Sequence, residues 1–364
     1  MADIRMVNCH THLFTHRHVP KHYPHWSISA LKRLPFLLDA VAWIAKPALA
    51  EKILRLKQSQ KENDLDTQAE VFANLARHYP DGTRFVVLPM DLSEIGHHPP
   101  PVGLPAQHDE LARLAADQNG RVIPFAKIDP RADPQARELT RAITELGFRG
   151  VKIYPRLGYS PTHETLWNCV YPLAEDRGLP IMTHCSRGGV QGRGLPDHKA
   201  DDYTDPMAYL PILKAFPDLR ICLAHFGGQR DWAAYVDPKR PSPYRPEDSR
   251  NWLAMIRRLI MSRQYPGLWT DISYTLFNFE NYVPFLRMFL LDDARDDDET
   301  RNGREWLRRR VLFGSDYYMT KQEALSEREV SVRLRDALGE DLFRQIAEIN
   351  PEVWLGERRE APLP

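Results

Sequence analysis

The sequence has no excess of charge of either sign, because 49 lysine and arginine residues balance 49 aspartate and glutamate residues. A protein that binds nucleic acid through its phosphates usually carries a surplus of positive charge, so this balance argues against a nucleic acid partner. Glycine is scarce, with 19 residues among 364. Apolar residues make up 43% and charged residues 27%, which is the composition of a folded globular chain rather than a disordered one.

Long hydrophobic runs are also missing. A membrane-spanning helix needs about 20 consecutive apolar residues, whereas the most apolar stretch, residues 36–45, is short and contains Asp39. The first residues, MADIRMVNCHTHLF, lack the apolar core of a secretory signal. Four cysteines are too few for a disulfide scaffold in a chain of this length. We therefore expect a reduced, soluble protein of the cytoplasm that does not contact a membrane.

Eight short apolar segments rich in β-branched residues recur along the chain, separated by amphipathic stretches. They are residues 5–14, 83–91, 121–128, 149–155, 180–186, 220–226, 268–274 and 311–317. Buried strands that alternate with helices form parallel sheets. Eight such units predict an α/β fold of the (β/α)8 TIM-barrel type. An open doubly wound sheet is the alternative, but no GxGxxG turn follows the first strand.

The first connection, residues 15–82, is longer than the others and contains helical patterns broken by Pro35 and Pro47. The sequence therefore predicts one barrel domain over residues 1–364, with a mainly helical insertion after the first strand. Such an insertion leaves the strand at its carboxyl end, where barrel active sites are built. It is predicted to form a lid or a contact between copies, with a surface decoration as the alternative. The aromatic segment 277–285 is a second candidate contact for a homo-oligomer.

Polar side chains fall at the carboxyl ends of four of the predicted strands. They are His10, His12, His184, His225 and Asp316. His10 and His12 are two residues apart on one strand, so they point the same way and can converge on one cation. A single histidine in an apolar strand is usually a satisfied core residue. Four histidines and an aspartate at one end of a barrel favour a metal site, because burying them without a cation or hydrogen bonds is costly.

Three cysteines lie close to these histidines in the sequence. Strict alternation along the strands places Cys9, Cys185 and Cys222 on the face opposite to the histidines. We therefore expect these cysteines to face the helices as small apolar residues and not to ligate a metal.

The combination of HxH on the first strand, histidines on the fifth and sixth strands and aspartate on the eighth resembles the amidohydrolase superfamily of metal-dependent barrel enzymes. The segments GFRGVKIYPRLGY, GLPIMTHCS, FPDLRICLAHFGG, LWTDISY and VLFGSDYY are similar to its amidohydrolase-related branch, which contains hydrolases and decarboxylases. The final IAEINPEVWLG is similar to the closing helix of that branch. The resemblance runs over residues 5–356, apart from the insertion.

The resemblance implies roles for individual residues. His10, His12, His184 and Asp316 would hold a divalent metal, with zinc expected, and His225 would assist catalysis or bind a second ion. Four further residues have more than one possible role. Lys152 is a carboxylated bridge between two ions, a substrate anchor or a buried ammonium paired with a carboxylate. The arginines Arg156, Arg187 and Arg193 are candidate clamps for a substrate carboxylate, with solvated loop residues as the alternative.

A metal-dependent hydrolase follows from these roles. A metal-bound water becomes acidic, Asp316 can take its proton and pass it to the leaving group, and His225 can donate to the developing oxyanion. We expect the substrate to be a small amide, lactone or ester, and to be anionic, because neutral imidazole ligands leave the metal's positive charge in place. A non-oxidative decarboxylase is the main alternative, and a catalytically silent barrel that binds a ligand is the third.

Overall fold

The structure is a computed structural model, and it describes residues 4–20, 65–237, 250–275, 278–291, 297–317 and 325–362. Short parallel strands alternate with helices through this part of the chain. The strands are β1 (Val7–Thr11), β2 (Arg84–Val87), β3 (Val122–Pro124), β4 (Ala126–Lys127), β5 (Val151–Ile153), β6 (Ile181–Thr183), β7 (Ile221–Leu223), β8 (Leu268–Asp271) and β9 (Val311–Leu312). Each lies within one of the eight predicted segments, with β3 and β4 sharing the third.

The helices of the described residues follow the strands in alternation. They are α1 (Gln68–Ala76), α2 (Leu104–Asp117), α3 (Arg137–Thr144), α4 (Tyr171–Asp176), α5 (Asp197–Thr204), α6 (Leu210–Ala215), α7 (Gln229–Val236), α8 (Trp252–Met261), α9 (Phe279–Leu290), α10 (Asp298–Arg308), α11 (Glu327–Leu338), α12 (Glu340–Arg344) and α13 (Asn350–Trp354). Short 3₁₀ turns lie at His16–His18, Pro155–Leu157, Pro206–Tyr209 and Ala224–Phe226, and π-helical turns at Leu166–Val170 and Gln345–Ile349.

Local sequence signals set the start of several helices. Thr67 precedes α1 and forms a capping box with Glu70, and Ser326 does the same with Glu329 before α11. In each pair the hydroxyl accepts from the backbone of the third helical residue, and the glutamate accepts from the cap residue's own amide. These reciprocal bonds satisfy amides that have no partner within the helix.

Backbone hydrogen bonds join the strands in chain order. β1–β3 form one parallel sheet and β4–β9 another, and only Phe125 separates β3 from β4. At the other seam the amide of Cys9 donates to the Phe313 carbonyl at 2.9 Å, and the amide of Asp316 donates to the His10 carbonyl at 2.8 Å. The strand order, together with these bonds across the second seam, is that of the predicted (β/α)8 TIM barrel. The fold-class prediction is confirmed.

One contiguous apolar cluster fills the inside of the strand ring. Its members are Val7, Cys9, Val86, Leu88, Ile123, Phe125, Met182, Cys222, Ala224, Trp269, Leu312, Trp354 and Leu355. Side chains from so many strands can touch one another only across the interior, so this face of the sheet lines the barrel. The strand register pairs Lys152 with Met182 and Lys127 with Lys152, which places both lysines on the same inner face.

The predicted orientation is correct for one cysteine and wrong for two. Cys185 packs with the apolar side chains between the strands and the helices, and its thiol donates to the Thr204 carbonyl of α5. Cys9 and Cys222 instead belong to the inner cluster. The expected alternation breaks because the register of β1 shifts between Asn8 and Thr11, and because the chain turns sharply just after β7. A strand that carries a bulge no longer alternates its side chains strictly.

The structure describes only part of the long insertion. Residues 15–20 hold a 3₁₀ turn, and residues 65–82 hold α1. Residues 21–64, with Pro35 and Pro47, lie outside the described residues, so the helical lid stays a prediction. The segment 277–285 lies mainly within α9, and its role as a contact between copies also stays a prediction. Among the described helices, none combines the length and the apolar character needed to cross a bilayer.

We predict that Gly150→Ala destabilises the barrel. An added Cβ would lie 2.4 Å from the Phe125 ring, which is fixed inside the barrel at the junction of β3 and β4. Overpacking of this kind lowers the free energy of unfolding by about 1–3 kcal/mol. Gly103→Ala is the matched control, because its Cβ would come no closer than 3.8 Å to any atom, and its cost should stay below about 1 kcal/mol. Denaturant unfolding measures both, and equal losses would contradict the prediction.

Candidate metal centre

Imidazole rings from three strands lie together where those strands end. The ring centroids of His10 and His12 are 5.3 Å apart, and those of His10 and His225 are 5.0 Å apart. His184 joins the cluster from the other side of His225, at a centroid distance of 5.0 Å. Asp316 completes the group, with its Oδ1 3.1 Å from His12 Nε2 and 3.5 Å from His10 Nε2. All five predicted residues are buried, and the structure brings them into one cluster.

Two of these residues adopt backbone conformations that are rare for side chains of their type. His225 has φ of 70° and Asp316 has φ of 65°. A left-handed conformation is unfavourable for residues other than glycine, and such strain concentrates at functional sites. Hydrogen bonds hold both turns: the His225 amide donates to Asp271 Oδ1, and the Asp316 amide donates to the His10 carbonyl, each at 2.8 Å. The turns redirect both side chains into the barrel just beyond the strands.

The outer nitrogens of the β1 histidines are engaged by the strands around them. His10 Nδ1 donates to Asp271 Oδ2 at 2.7 Å, and His12 Nδ1 donates to the Leu88 carbonyl at 2.7 Å. In a neutral imidazole this leaves Nε2 of each ring without a proton. His10 Nε2 is buried and has no hydrogen-bond partner among the described residues. Both lone pairs therefore point at the space beside Asp316.

His184 and His225 are fixed in the complementary way. His184 Nε2 donates to the Gly188 carbonyl at 3.1 Å, so its Nδ1 is unprotonated. The Ser273 hydroxyl donates to Asp271 Oδ1 at 2.5 Å and accepts from His225 Nδ1 at 2.9 Å, so His225 Nε2 is unprotonated as well. These two unprotonated nitrogens face each other at 3.2 Å. Two lone pairs at this distance repel each other unless a positive charge lies between or beside them.

Burial favours the neutral form of three of these rings, whereas the surrounding groups keep Asp316 ionised. Burial lowers the pKa of His10 to about 4, and it lowers the pKa values of His184 and His225 as well. For Asp316, burial favours a higher pKa, but the adjacent His12 and His10 hold the pKa below its usual range. Neutral imidazoles beside an ionised carboxylate are the protonation states that ligate divalent metals.

The donor set fits a divalent cation. Two groups of three residues, His10 with His12 and Asp316, and His10 with His225 and Asp271, each bring their ligand atoms within 4.8 Å of one another. Neither group contains a cysteine, and the described residues form no further group of this kind. His184 belongs to neither group and lies against His225 instead. Imidazole and carboxylate ligands suit zinc, manganese, iron or cobalt, so the residues alone do not select the ion.

Lys152 extends this cluster towards the barrel interior. It is fully buried, and its Nζ has no hydrogen-bond partner in the described part of the chain. The Nζ lies 5.8 Å from the centroid of the Tyr154 ring. Burial lowers the pKa of Lys152 to about 8, against the opposing charges of Asp316 and Asp271. A buried ammonium without a hydrogen-bond acceptor is costly, so an anionic ligand would stabilise this side chain.

Two of the three candidate arginine clamps, Arg187 and Arg156, form ion pairs with carboxylates of neighbouring helices. Arg187 forms ion pairs with Asp231 at 3.2 Å and Asp201 at 3.5 Å, and it stacks on Trp252. Arg156 pairs with the other oxygen of Asp201. The two arginines therefore tie the loops after β5 and β6 to α5 and α7, which is a structural role that the sequence did not indicate.

The sequence analysis missed Asp271, Ser273 and Tyr154. Asp271 is buried at the end of β8 and hydrogen-bonds to His10, the His225 amide and Ser273. Tyr154 stacks on His184 with ring centroids 4.2 Å apart and planes within 11°. The signal for Asp271 was present, because LWTDISY places a charged residue in an apolar strand. Outer carboxylates of this kind orient metal-binding histidines and raise their basicity.

Comparisons with known proteins agree with the barrel. A family model described as amidohydrolase matches residues 7–356. Similar solved structures include an uncharacterised TIM-barrel protein from Bordetella bronchiseptica, with 16% identity over 97% of this chain and 98% of that chain and a TM-score of 0.56. A search of curated proteins gives no match.

Two further structures have assigned activities. One is assigned as a 2-pyrone-4,6-dicarboxylic acid hydrolase from Acinetobacter baumannii with citric acid bound, at 13% identity, 97% and 99% coverage and a TM-score of 0.53. The other is a 5-carboxyvanillate decarboxylase variant from Novosphingobium aromaticivorans with manganese and a substituted nitrobenzoic acid bound, at 16% identity, 96% and 97% coverage and a TM-score of 0.55. At these identities the likeness establishes the fold.

We predict that Asp271→Asn weakens metal binding without unfolding the chain. The amide cannot accept from His10 Nδ1, the Ser273 hydroxyl and the His225 amide with the strength of a carboxylate, so His10 and His225 lose their orientation. Loss of such an outer partner typically costs about 10–100-fold in metal affinity. Titration of the metal-free protein with Zn²⁺ or Mn²⁺ measures the change.

Asp129→Asn is the control for this variant. Asp129 is equally buried but pairs with Arg131 away from the histidines, so its loss should alter stability and leave metal affinity within about twofold. An unchanged affinity in Asp271→Asn would contradict the orienting role.

Proposed function

We propose that this chain, which belongs to the amidohydrolase family, is a metal-dependent hydrolase. Its substrate is a small carbonyl-containing molecule that bears a carboxylate. The observation that carries this proposal is the convergence of four unprotonated imidazole nitrogens and the Asp316 carboxylate on one buried space. A divalent cation held there would act as a Lewis acid and lower the pKa of a bound water. His10, His12 and Asp316 would hold it, with His184 and His225 offering the adjacent lone pairs.

Asp316 carries the proton transfer in this mechanism. Its Oδ1 lies beside the Nε2 atoms of both β1 histidines, so it is next to any water activated there. Asp316 accepts a proton from the attacking water as the new carbon–oxygen bond forms. It returns that proton to the leaving oxygen or nitrogen as the scissile bond breaks.

We assign His225 a role other than the predicted donation to the oxyanion, and we assign Lys152 the substrate-anchoring role, one of the three that the sequence left open. The bond from His225 Nδ1 to Ser273 turns an unprotonated Nε2 to the site, which favours a ligand or proton-accepting role over the predicted donor role. Lys152 is then the better donor, because its ammonium lies on the inner face of the barrel without a hydrogen-bond partner among the described residues. We assign Lys152 to the substrate carboxylate or the developing oxyanion.

Decarboxylation is the second candidate, and Lys152 is the observation that favours it. A buried ammonium that orients a carboxylate suits a reaction in which a carbon–carbon bond breaks and carbon dioxide leaves. The carbon keeps the electron pair and takes a proton from water. Structures with this fold include both a hydrolase and decarboxylases, so product analysis has to separate the two reactions.

We predict that Asp316→Asn abolishes turnover while the fold remains. The amide cannot accept the proton, and loss of a general base typically lowers the rate by about 10²–10⁴-fold. Asp202→Asn, an exposed change on α5, is the control and should retain the full rate. Rates are measured on a panel of aromatic and dienoic carboxylates, lactones and amides. A near-normal rate in Asp316→Asn would rule out this assignment.

The products on the active substrate decide the reaction class. Hydrolysis should incorporate one ¹⁸O atom from labelled water into product, whereas decarboxylation should release carbon dioxide without that label. Purified protein that holds no divalent cation, and takes up none when Zn²⁺, Mn²⁺ or Co²⁺ is offered, would overturn both enzymatic proposals and leave a binding protein.

A further inference from the structure

A glycine-rich loop lies directly over His184. We define the glycine loop as residues 186–195, which follow β6 and contain four glycines. Gly189 is exposed on its outer side, yet a Cβ on its inner side would lie 2.6 Å from the Tyr154 hydroxyl and 3.2 Å from His184 Nε2. At this point the loop backbone, which carries no side chain, separates the His184 imidazole from solvent.

Tyr154 connects the glycine loop to the metal centre. Its ring stacks on the His184 imidazole, and its hydroxyl accepts from the Val190 amide at 3.2 Å. The adjacent Gly188 carbonyl accepts from His184 Nε2. Val190 of the loop therefore contacts the Tyr154 hydroxyl, and Gly188 of the same loop accepts the hydrogen bond from His184 Nε2.

The far end of the glycine loop docks on other loops at the rim of the barrel. The Arg193 amide donates to the Ile95 carbonyl at 2.8 Å, in the loop that follows β2. Gln191 accepts from Arg156 at 2.8 Å, and Gly192 lies so close to the Leu157 carbonyl that a Cβ would come within 2.6 Å of it. These contacts carry the loop across the carboxyl ends of β5 and β6, so a substrate cannot reach His184 past this loop while it is docked.

We propose that the glycine loop is a gate over the metal centre and that Tyr154 is the positioning residue that latches it. When the loop is docked, the Gly188 carbonyl holds the His184 proton on Nε2 and so presents an unprotonated Nδ1 to the centre. When the loop lifts, Tyr154 loses the Val190 amide and His184 loses the Gly188 carbonyl together, which leaves the Ser186 hydroxyl, 3.1 Å away, as the neighbour of His184 Nε2. Substrate access and the geometry of one metal-binding residue are then linked. The inference rests on the proposed metal centre, but the movement of the loop can be read without it.

Amide hydrogen exchange tests the latch on metal-free protein. Tyr154→Phe keeps the stacked ring and removes the hydroxyl that accepts from the Val190 amide, so exchange across residues 188–191 should rise about fivefold, as expected for one lost hydrogen bond. Exchange in the barrel strands should not change. Unaltered exchange at residues 188–191 would overturn the latch.

A pair of glycine variants tests whether the loop must lie against His184. Gly189→Ala and Gly194→Ala both place a side chain at positive φ, of 99° and 77°. Only Gly189→Ala meets a neighbour, because a Cβ at Gly194 has nothing within 4 Å. We expect Gly189→Ala to raise exchange in the loop well beyond Gly194→Ala, and to lower metal affinity. Equal behaviour of the two variants would contradict the gate.

Metal titration separates the two contributions of Tyr154. Tyr154→Leu removes the stack as well as the hydroxyl, so it should weaken Mn²⁺ or Zn²⁺ binding by about 10-fold or more, whereas Tyr154→Phe should change it less than about threefold. Equal losses in both variants would overturn the positioning role. If wild-type protein binds no metal, the proposed function fails, while the exchange results still decide whether the loop is latched.

Discussion

The rest of the site depends on one electrostatic constraint, which is that four imidazoles turn their unprotonated nitrogens inward. Each outer nitrogen is held by a different acceptor: Asp271, the Leu88 carbonyl, the Gly188 carbonyl and the Ser273 hydroxyl. The acceptors are supplied by separate strands and loops, so the barrel itself assigns the protons. A cation relieves the repulsion between the inner lone pairs, and burial makes its attraction stronger than it would be in water.

Asp271 shows how closely the fold and the site are connected. This one carboxylate accepts from His10, from the Ser273 hydroxyl and from the amide of His225, whose backbone is strained. It therefore joins β1 to the turn after β7 and stabilises a left-handed residue that would otherwise cost about 1–3 kcal/mol. The left-handed turn directs the His225 side chain into the barrel. A regular continuation of β7 would place it on the face opposite to Cys222, which lies inside the barrel.

Much of the fold and most of the site could be predicted from the sequence, because buried parallel strands produce a simple pattern of apolar runs. All eight predicted strands contain observed strands, and the polar residues that interrupt them do cluster. The failures have identifiable causes. Cys9 and Cys222 were placed on the wrong face because alternation assumes an unbroken strand, and neither the shift in β1 nor the left-handed turn at His225 leaves a mark in composition. The ion pairs of Arg187 could not be predicted from the sequence, because its partners Asp231 and Asp201 lie 44 and 14 residues away.

The proton positions also constrain the chemistry more than the identities of the residues do. A histidine beside a metal can act as a donor or as an acceptor, and its sequence position is the same in both cases. Here the Ser273 hydroxyl donates its hydrogen bond to Asp271 and therefore accepts one from His225 Nδ1, which leaves His225 Nε2, on the side of the site, without a proton. Burial opposes a second proton on this ring. In the proposed mechanism, electrophilic assistance therefore falls to Lys152, whose buried ammonium has no hydrogen-bond acceptor among the described residues. In that mechanism the ammonium attracts the carboxylate or carbonyl oxygen of a substrate, and Asp316 is the group that moves protons.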